Sequence, residues 1–314
     1  MSDDLPAALP DASTSACCGE LGTVLANVRD YVALTKPEVN ALIVVTTAAG
    51  FYLASIANSV SLSLFRLVGT VAATLLLASG AATLNQVMER RYDALMKRTL
   101  RRPVAAGRIP PAHAFLFGAA LASAGAVWLF LAVNATAGFL GGLALVTYLL
   151  LYTPLKRKTP FCTAVGAIAG AVPPLIGWSA CGGRFDAEAL LLYALLFLWQ
   201  FPHVMSIAAL YRTDYERAGY RIIPRDGARG FIAFSTIVPC TALLALIVWP
   251  AMFQGKLLLL VACVLSLIFL LYGIRFSVRG TAGAARRLLA FSIVYVPLAL
   301  VLLIFAEKYR VPLR

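Results

Sequence analysis

Long apolar segments without charged residues recur along this chain. One of them runs from Leu67 to Leu84 and contains no Asp, Glu, Lys or Arg. A helix needs about 20 predominantly apolar residues to cross the hydrocarbon core of a bilayer. We therefore expect about nine transmembrane helices, at residues 39–57, 65–84, 112–133, 135–152, 161–180, 189–211, 231–252, 257–274 and 288–305.

The composition agrees with this interpretation. Of the 314 residues, 61% are hydrophobic and only 13% are charged, and a water-soluble domain of this length does not need so much apolar surface. The predicted fold class is an all-α polytopic membrane protein. We expect a cytoplasmic tail with an interfacial helix at 1–37, a transmembrane domain at 38–306 and a short tail on the outer side at 307–314. The interfacial helix is predicted from the apolar periodicity between Glu20 and Lys36.

The net charge of +13 is explained by membrane topology and anion binding rather than by nucleic-acid binding. With nine spans, the N-terminal tail and the connections at 89–111, 153–160, 212–230 and 275–287 share one side of the membrane. That side carries 21 of the 27 Lys and Arg residues. Since cytoplasmic loops are enriched in Lys and Arg, we expect the N-terminus in the cytoplasm and the C-terminus outside.

A polar motif follows directly after the uncharged segment. Asn85, Glu89 and Asp93 are spaced four residues apart, so on a continuing helix they share one face, each about 6 Å beyond the last. Three oxygen-bearing side chains in a row suit a hard cation such as Mg²⁺. The alternative is a solvated helix end in which Asp93 and Lys97 form an i, i+4 ion pair.

Two groups of cations lie on the same predicted side. Behind the acidic motif come Lys97, Arg98, Arg101 and Arg102, which together could bind an anion such as a metal-chelated diphosphate. The second group follows the fourth span, where Pro154 and Pro160 bracket Lys156, Arg157 and Lys158. Both groups are equally consistent with the basic residues that fix membrane orientation.

The end of the sixth span carries a second polar region. His203 lies eight residues before Tyr211, hence about 12 Å inside the membrane. Ionisable groups at that depth usually face a cavity and mark function, although a single His can also be a packing residue. Asp214 is the candidate for a second carboxylate on a shared metal–diphosphate site, and its alternative role is a surface ion pair with Arg217.

These motifs resemble those of a known family. Asn85-x-x-x-Glu89-x-x-x-Asp93 with the following basic segment is similar to the first signature of the UbiA-type intramembrane prenyltransferases. Further similar segments are L-T-K-P at 34–37, Y-T-P-L-K-R-K-T-P at 152–160, G-A-V-P-P-L-I-G-W at 170–178, W-Q-F-P-H at 199–203 and Y-R-T-D-Y-E-R-A-G at 211–219. The last two narrow the resemblance to the haem-modifying branch, and the similarity extends from residue 31 to about 305.

The resemblance implies a UbiA-type bundle in a bacterial inner membrane, with an active site that faces the cytoplasm. The implied substrates are farnesyl diphosphate and protohaem IX, and the implied cofactor is Mg²⁺. A haem A synthase or oxidase assembly proteins would be partners. The residues expected to hold the metal are Asn85, Glu89, Asp93 and Asp214. The residues expected to bind the diphosphate are Lys97, Arg98, Arg102, Lys156, Arg157 and Arg212. His203 is expected to contact haem or to handle the proton and water of a hydration step.

Some positions depart from the family pattern, and other functions remain open. Glu89 stands where many relatives have Asp, and Cys162 stands where Asn is expected. Asp214 is followed by Ala218 instead of the second Asp of a D-x-x-x-D motif, so a second metal ion would be held less securely. One alternative is a prenyltransferase for another aromatic or chlorin acceptor. Another is a cation-coupled transporter, which would place ionisable groups near the middle of the membrane.

Overall fold

A computed structural model describes residues 27–224, 226–248 and 256–308. Within these ranges it contains nine helices long and apolar enough to cross a membrane, which confirms the predicted number. They are α2 (Pro37–Ala57), α3 (Leu64–Asp93), α4 (Pro111–Val133), α5 (Ala135–Leu155), α6 (Cys162–Ala180), α7 (Ala187–Leu210), α9 (Ala228–Val248), α10 (Lys256–Arg279) and α11 (Ala282–Lys308). Two shorter helices complete the described chain, α1 at residues 27–34 and α8 at Arg212–Arg217.

Helix α3 is considerably longer than the apolar segment that predicts it. It has 30 residues and is therefore about 45 Å long, whereas the hydrocarbon core of a bilayer is about 30 Å thick. The apolar segment ends at Leu84, so the extra length consists of the polar turns from Asn85 to Asp93. The acidic motif therefore lies at the end of a transmembrane helix, on the continuing helix that the spacing predicts.

Helix α6 is broken in the middle. Its first half ends at Gly170 and its second half begins at Pro173, because the Pro173–Pro174 pair supplies no backbone N–H to continue the hydrogen bonds of the first half. All eight residues of the second half are buried. This short half-helix therefore forms part of the protein core.

Helix α1 is attached to the connection between α3 and α4. The Arg108 guanidinium donates to both carboxylate oxygens of Asp30, at 2.7 and 2.9 Å, and the Tyr31 ring makes an edge contact with Phe117. Val28 and Val32 remain exposed on this helix. This arrangement agrees with the helical part of the predicted interfacial segment, whereas residues 20–26 lie outside the described residues.

Candidate active site

The three residues of the acidic motif are buried at the end of α3, not solvated. Asn85, Glu89 and Asp93 are 1%, 4% and 1% exposed. Asp93 pairs with Arg102, whose Nη1 lies 2.8 Å from both carboxylate oxygens. The interpretation of this motif as a solvated helix end with an Asp93–Lys97 ion pair is therefore wrong. We refer to Asn85, Glu89 and Asp93 as the ladder.

Each residue of the ladder accepts a hydrogen bond from a basic side chain of a different segment. Lys156 Nζ donates to both oxygens of Glu89, at 2.9 and 3.1 Å. Lys36 Nζ donates to Asn85 Oδ1 at 3.1 Å. Together with Arg102, these cations neutralise the buried carboxylates, as buried charges require. Burial opposes the charge of Lys156, but the neighbouring Glu89 carboxylate outweighs that effect and raises the pKa of Lys156.

Lys36 lies in the L-T-K-P segment at 34–37, and no site role was predicted for it. It immediately precedes α2 and has a left-handed backbone conformation with φ of 51°, which is uncommon for a residue with a side chain. Gln86 Nε2 donates to the carbonyl oxygen of Leu34 at 2.8 Å and fixes this segment against α3. Burial, together with the nearby cations Arg102 and Lys156, lowers the pKa of Lys36 to about 7. Positive charges held this close together repel one another, and a bound anion would relieve that repulsion.

A π-helical turn shapes the side of the site that faces α5. Thr147–Tyr152 forms this turn at the end of α5, and π turns occur frequently at functional sites. The turn allows Thr153 Oγ to donate to the carbonyl oxygen of Tyr148 at 2.9 Å. Asn85 Nδ2 donates in turn to Thr153 Oγ at 3.1 Å, which leaves Asn85 Oδ1 as the acceptor in the ladder.

Two cations of the site, Lys156 and Arg157, lie over tyrosine rings. Lys156 Nζ lies 4.6 Å from the ring centroid of Tyr152, and the Arg157 guanidinium lies 4.3 Å from that of Tyr92, whose hydroxyl it also contacts. Such cation–π contacts stabilise a charge while leaving its hydrogen-bond donors available. Neither tyrosine was predicted as a site residue. Tyr92 and Arg157 are 65 positions apart, whereas Tyr152 and Lys156 are near each other in sequence.

Asp214 forms a hydrogen bond with the connection between α3 and α4. It is 6% exposed, and its Oδ2 accepts from the backbone N–H of Arg98 at 3.3 Å. Arg217 lies 3.6 Å from Oδ1, so the ion pair considered from the sequence is present. In the part of the chain that the structure describes, no three His, Cys, Asp or Glu side chains are grouped closely enough to hold a metal ion. Asp214 thus lies beside the basic connection but does not complete a three-carboxylate cluster with Glu89 and Asp93.

The predicted diphosphate-binding cations differ in their positions. The Arg98 guanidinium lies 5.1 Å from the ring centroid of Tyr211. Arg98 is therefore near α8, where its backbone N–H binds the buried Asp214. Arg212 instead donates to Glu216 at 2.8 Å in an i, i+4 pair of exposed side chains. Lys97 is also exposed. The structure therefore brings Arg102 and Lys156 to the ladder and places Arg212 in a surface ion pair.

His203 connects α7 to α11. Its Nδ1 lies 2.8 Å from Ser292 Oγ, and its ring stacks on Trp199 with centroids 4.8 Å apart. Trp199 Nε1 donates to the carbonyl oxygen of Ser292 at 2.7 Å. His203 therefore has a packing role, and the hydrogen bond of Nδ1 leaves Nε2 as the ring nitrogen available to a ligand.

The sequence was compared with known proteins. Residues 43–306 match the UbiA prenyltransferase family. The chain is 41% identical to the protoheme IX farnesyltransferase of Solibacter usitatus (strain Ellin6076), and the alignment covers 86% of this chain and 96% of that protein. It is 36% identical to the protoheme IX farnesyltransferase of Koribacter versatilis (strain Ellin345), over 86% of this chain and 90% of the relative.

The structure was compared in the same way. A digeranylgeranylglyceryl phosphate synthase aligns with a TM-score of 0.73 at 15% identity, over 89% of this chain and 98% of that one. A UbiA homologue from Archaeoglobus fulgidus, bound to DMAPP and Mg²⁺, aligns with a TM-score of 0.67 at 15% identity, over 90% of this chain and all of that one. These structures establish the shared fold, and the sequence match establishes the relationship. The chain belongs to the UbiA prenyltransferase family.

Proposed function

We propose that this protein transfers a farnesyl group from farnesyl diphosphate to a vinyl group of protohaem IX. Water is added in the same conversion, and the products are haem O and pyrophosphate. The observation that carries this proposal is the buried ladder surrounded by Lys36, Arg102 and Lys156, because a diphosphate needs both a metal site and cations. The choice of haem as acceptor is supported by the two relatives, each named a protoheme IX farnesyltransferase.

The ladder fits a magnesium ion that arrives with its substrate. Mg²⁺ is usually bound by one or two carboxylates together with substrate phosphates and waters, rather than by a closed cage of protein ligands. Glu89, Asp93 and the amide oxygen of Asn85 are donors of this kind, and Asp214 is the further candidate. When bound, Mg²⁺ would neutralise negative charge on the departing diphosphate. The homologue from Archaeoglobus fulgidus is bound to DMAPP and Mg²⁺, which supports a metal-dependent site.

The basic side chains would stabilise the leaving group. Lys156 and Arg102 now contact the ladder carboxylates, and they would donate to diphosphate oxygens once the substrate has bound. Arg98, Arg157 and Lys36 would contribute further positive charge at the same end of the bundle. Fixed cations in a water-poor site lower the barrier to charge separation far more than cations in water.

The reaction then proceeds in the bundle interior. The C–O bond between the farnesyl group and the diphosphate breaks, and the resulting allylic cation forms a C–C bond with the terminal vinyl carbon of the haem. Water adds its oxygen to the other vinyl carbon and loses one proton. His203 Nε2 would contact the haem or accept that proton. An apolar interior protects the cation from bulk water until the vinyl group has reacted.

A reconstituted reaction tests this proposal. Purified protein supplied with Mg²⁺ and farnesyl diphosphate is expected to convert protohaem IX to a product that carries one farnesyl chain and one water, as measured by mass spectrometry. The same preparation should leave 4-hydroxybenzoate unchanged. Prenylation of hydroxybenzoate without prenylation of haem would reject the haem assignment and leave only the family. If no acceptor yields pyrophosphate, a transporter becomes the better interpretation.

We further propose where the reaction occurs. The nine apolar helices make the chain a multi-pass membrane protein, and we assign it to a bacterial inner membrane with the ladder on the cytoplasmic side. The asymmetric distribution of Lys and Arg supports this orientation. Haem O must be passed to an enzyme that oxidises or incorporates it, so a haem A synthase or an oxidase assembly protein is the partner expected.

A further inference from the structure

Tyr220 lies in the segment that follows α8 and has a fixed position. Gly219 adopts a left-handed conformation with φ of 73° and turns the chain back, so that the Tyr220 N–H donates to the carbonyl oxygen of Tyr215 at 2.8 Å. The next residue, Arg221, donates its N–H to the carbonyl oxygen of Lys156 at 2.7 Å. The first of these main-chain bonds holds Tyr220 against α8, and the second attaches the neighbouring Arg221 to the cationic connection at Lys156.

The ring of Tyr220 is packed among residues that surround the ladder. It contacts the ring of Tyr92 at a centroid distance of 6.2 Å and that of Tyr215 at 5.8 Å. Lys156 Nζ, which binds Glu89, lies 5.9 Å from its centroid. The residue is only 7% exposed, so it forms part of the inner wall of the site.

The hydroxyl of Tyr220 has no partner with hydrogen-bond geometry among the described residues. Buried hydroxyls are normally paired, and an exception needs an explanation such as a ligand. A tyrosine phenol carries its proton near neutral pH, so this hydroxyl is a hydrogen-bond donor beside the ladder.

Glu89 is a poor candidate for the missing partner. The Glu89 carboxylate lies close to the Tyr220 hydroxyl, but the hydroxyl does not reach hydrogen-bond geometry with it. Lys156 instead donates to both carboxylate oxygens of Glu89. An anion that binds between the ladder and Lys156 would supply new acceptor oxygens close to this hydroxyl. We propose that Tyr220 binds substrate, its hydroxyl donating a hydrogen bond to a phosphate oxygen of the prenyl diphosphate. The assignment rests on the proposed function only in taking a diphosphate as the ligand.

The binding of inorganic pyrophosphate tests this assignment without haem. The full-length protein, Tyr220→Phe and the control Tyr193→Phe are compared by calorimetry at saturating Mg²⁺. Tyr193 is a suitable control because its hydroxyl makes only a long contact, 3.5 Å, with the carbonyl oxygen of Ile168. We expect Tyr220→Phe to bind pyrophosphate roughly tenfold more weakly, since a hydrogen bond to a charged group is lost. We expect Tyr193→Phe to bind like the unsubstituted protein.

Thermal unfolding of the ligand-free variants provides the second measurement. Removal of an unpartnered hydroxyl should not lower the unfolding temperature of Tyr220→Phe. A lower unfolding temperature would show that the hydroxyl has an internal partner and would overturn the assignment. Unchanged pyrophosphate affinity would also overturn it. So would a weakened affinity that is fully restored when Mg²⁺ is raised above the concentration that saturates the unsubstituted protein, because Tyr220 would then act through the metal ligands.

The failure of this inference can be distinguished from the failure of the proposed function. If the unsubstituted protein binds Mg²⁺ and pyrophosphate but does not prenylate haem, the proposed acceptor is wrong and the comparison of Tyr220→Phe with Tyr193→Phe still decides the role of Tyr220. If the unsubstituted protein binds no pyrophosphate at saturating Mg²⁺, the assignment of Tyr220 is overturned as well.

Discussion

Lys156 has two roles that a single substitution would confuse. It is one of the cations proposed to bind the leaving diphosphate, and its positive charge also compensates the buried Glu89 carboxylate. The side chains of this pair are only 12% and 6% exposed. Loss of one partner of a buried ion pair leaves an uncompensated charge, whereas loss of both is much less destabilising. Stability and activity should therefore respond differently to single and double substitutions at this pair.

The first prediction uses this difference. Lys156→Met should lower the free energy of unfolding by about 3 kcal/mol, because Glu89 is left charged and buried. The double variant Lys156→Met, Glu89→Gln should recover most of that loss but should not recover pyrophosphate release. Thermal unfolding and a pyrophosphate assay provide the two measurements. A double variant no more stable than Lys156→Met would show that the ion pair does not account for the stability of this site.

The second prediction separates the packing role of His203 from a role in haem binding. Ser292→Ala removes the hydrogen bond to Nδ1 but keeps the imidazole stacked on Trp199, whereas His203→Ala removes the ring. If Nε2 serves the haem, His203→Ala should raise KM for protohaem IX at least tenfold more than Ser292→Ala does, with little change in KM for farnesyl diphosphate. Steady-state kinetics with each substrate varied in turn provides the measurement.

Equal effects of these two substitutions on the KM for haem would contradict the haem role. His203 would then be a packing residue that joins α7 to α11. The unfolding temperatures of both variants serve as the control, since a general loss of stability would affect both substrates alike.

The ladder could be predicted from sequence because its three residues lie on one helix at a fixed spacing. Their partners could not be predicted in the same way. The contact of Lys36 with Asn85 joins residues 49 positions apart, and that of Lys156 with Glu89 joins residues 67 positions apart. Arg212 was predicted as a diphosphate-binding residue, but the structure pairs it with Glu216, which is four positions away and on the same helical face.

At the scale of elements, the second half of α6 is packed directly against α2. A methyl group added at Gly177 would collide with the carbonyl oxygen of Thr47, and one added at Gly50 would collide with that of Pro174. Such close backbone contact is typical of small residues at membrane helix interfaces. The proline break could be predicted from the sequence, but the partner helix could not, because the glycines do not indicate which backbone approaches them.

The third prediction follows from this interface. Gly177→Ala should greatly reduce the amount of folded protein, because backbone atoms of α2 block the added methyl group and cannot move alone. Gly142→Ala is the matched control, since no atom lies within 4 Å of a methyl group added there and Ala favours a helix by about 1 kcal/mol over Gly. Size-exclusion chromatography of the detergent-solubilised variants measures the outcome. Normal yield of monodisperse Gly177→Ala would contradict the proposed rigidity of this contact.

At the scale of the whole molecule, nine spans could be predicted because the apolar segments are long and are separated by connections with polar or charged residues. The boundaries were less accurate at polar helix ends. The predicted second span ends at residue 84, but α3 continues to Asp93, because its last turns are buried by contacts with other segments rather than by lipid. The predicted seventh span extends to residue 252, and its last residues lie outside the described ranges.

The orientation of the bundle gives the fourth prediction. Two exposed positions lie on opposite sides, Lys158 in the connection between α5 and α6, and Arg184 in the connection between α6 and α7. Cys181 is buried, 3% exposed, so the natural cysteine near the outer side is not a suitable reporter. Arg184→Cys should react with a membrane-impermeant maleimide in intact bacterial cells, and Lys158→Cys should react only after permeabilisation. This outcome is expected because 21 of the 27 Lys and Arg lie on the side of Lys158, which the positive-inside rule assigns to the cytoplasm.

The unsubstituted protein measures background labelling of the natural cysteines. Labelling of Lys158→Cys in intact cells would show that the orientation is reversed and that the ladder lies outside.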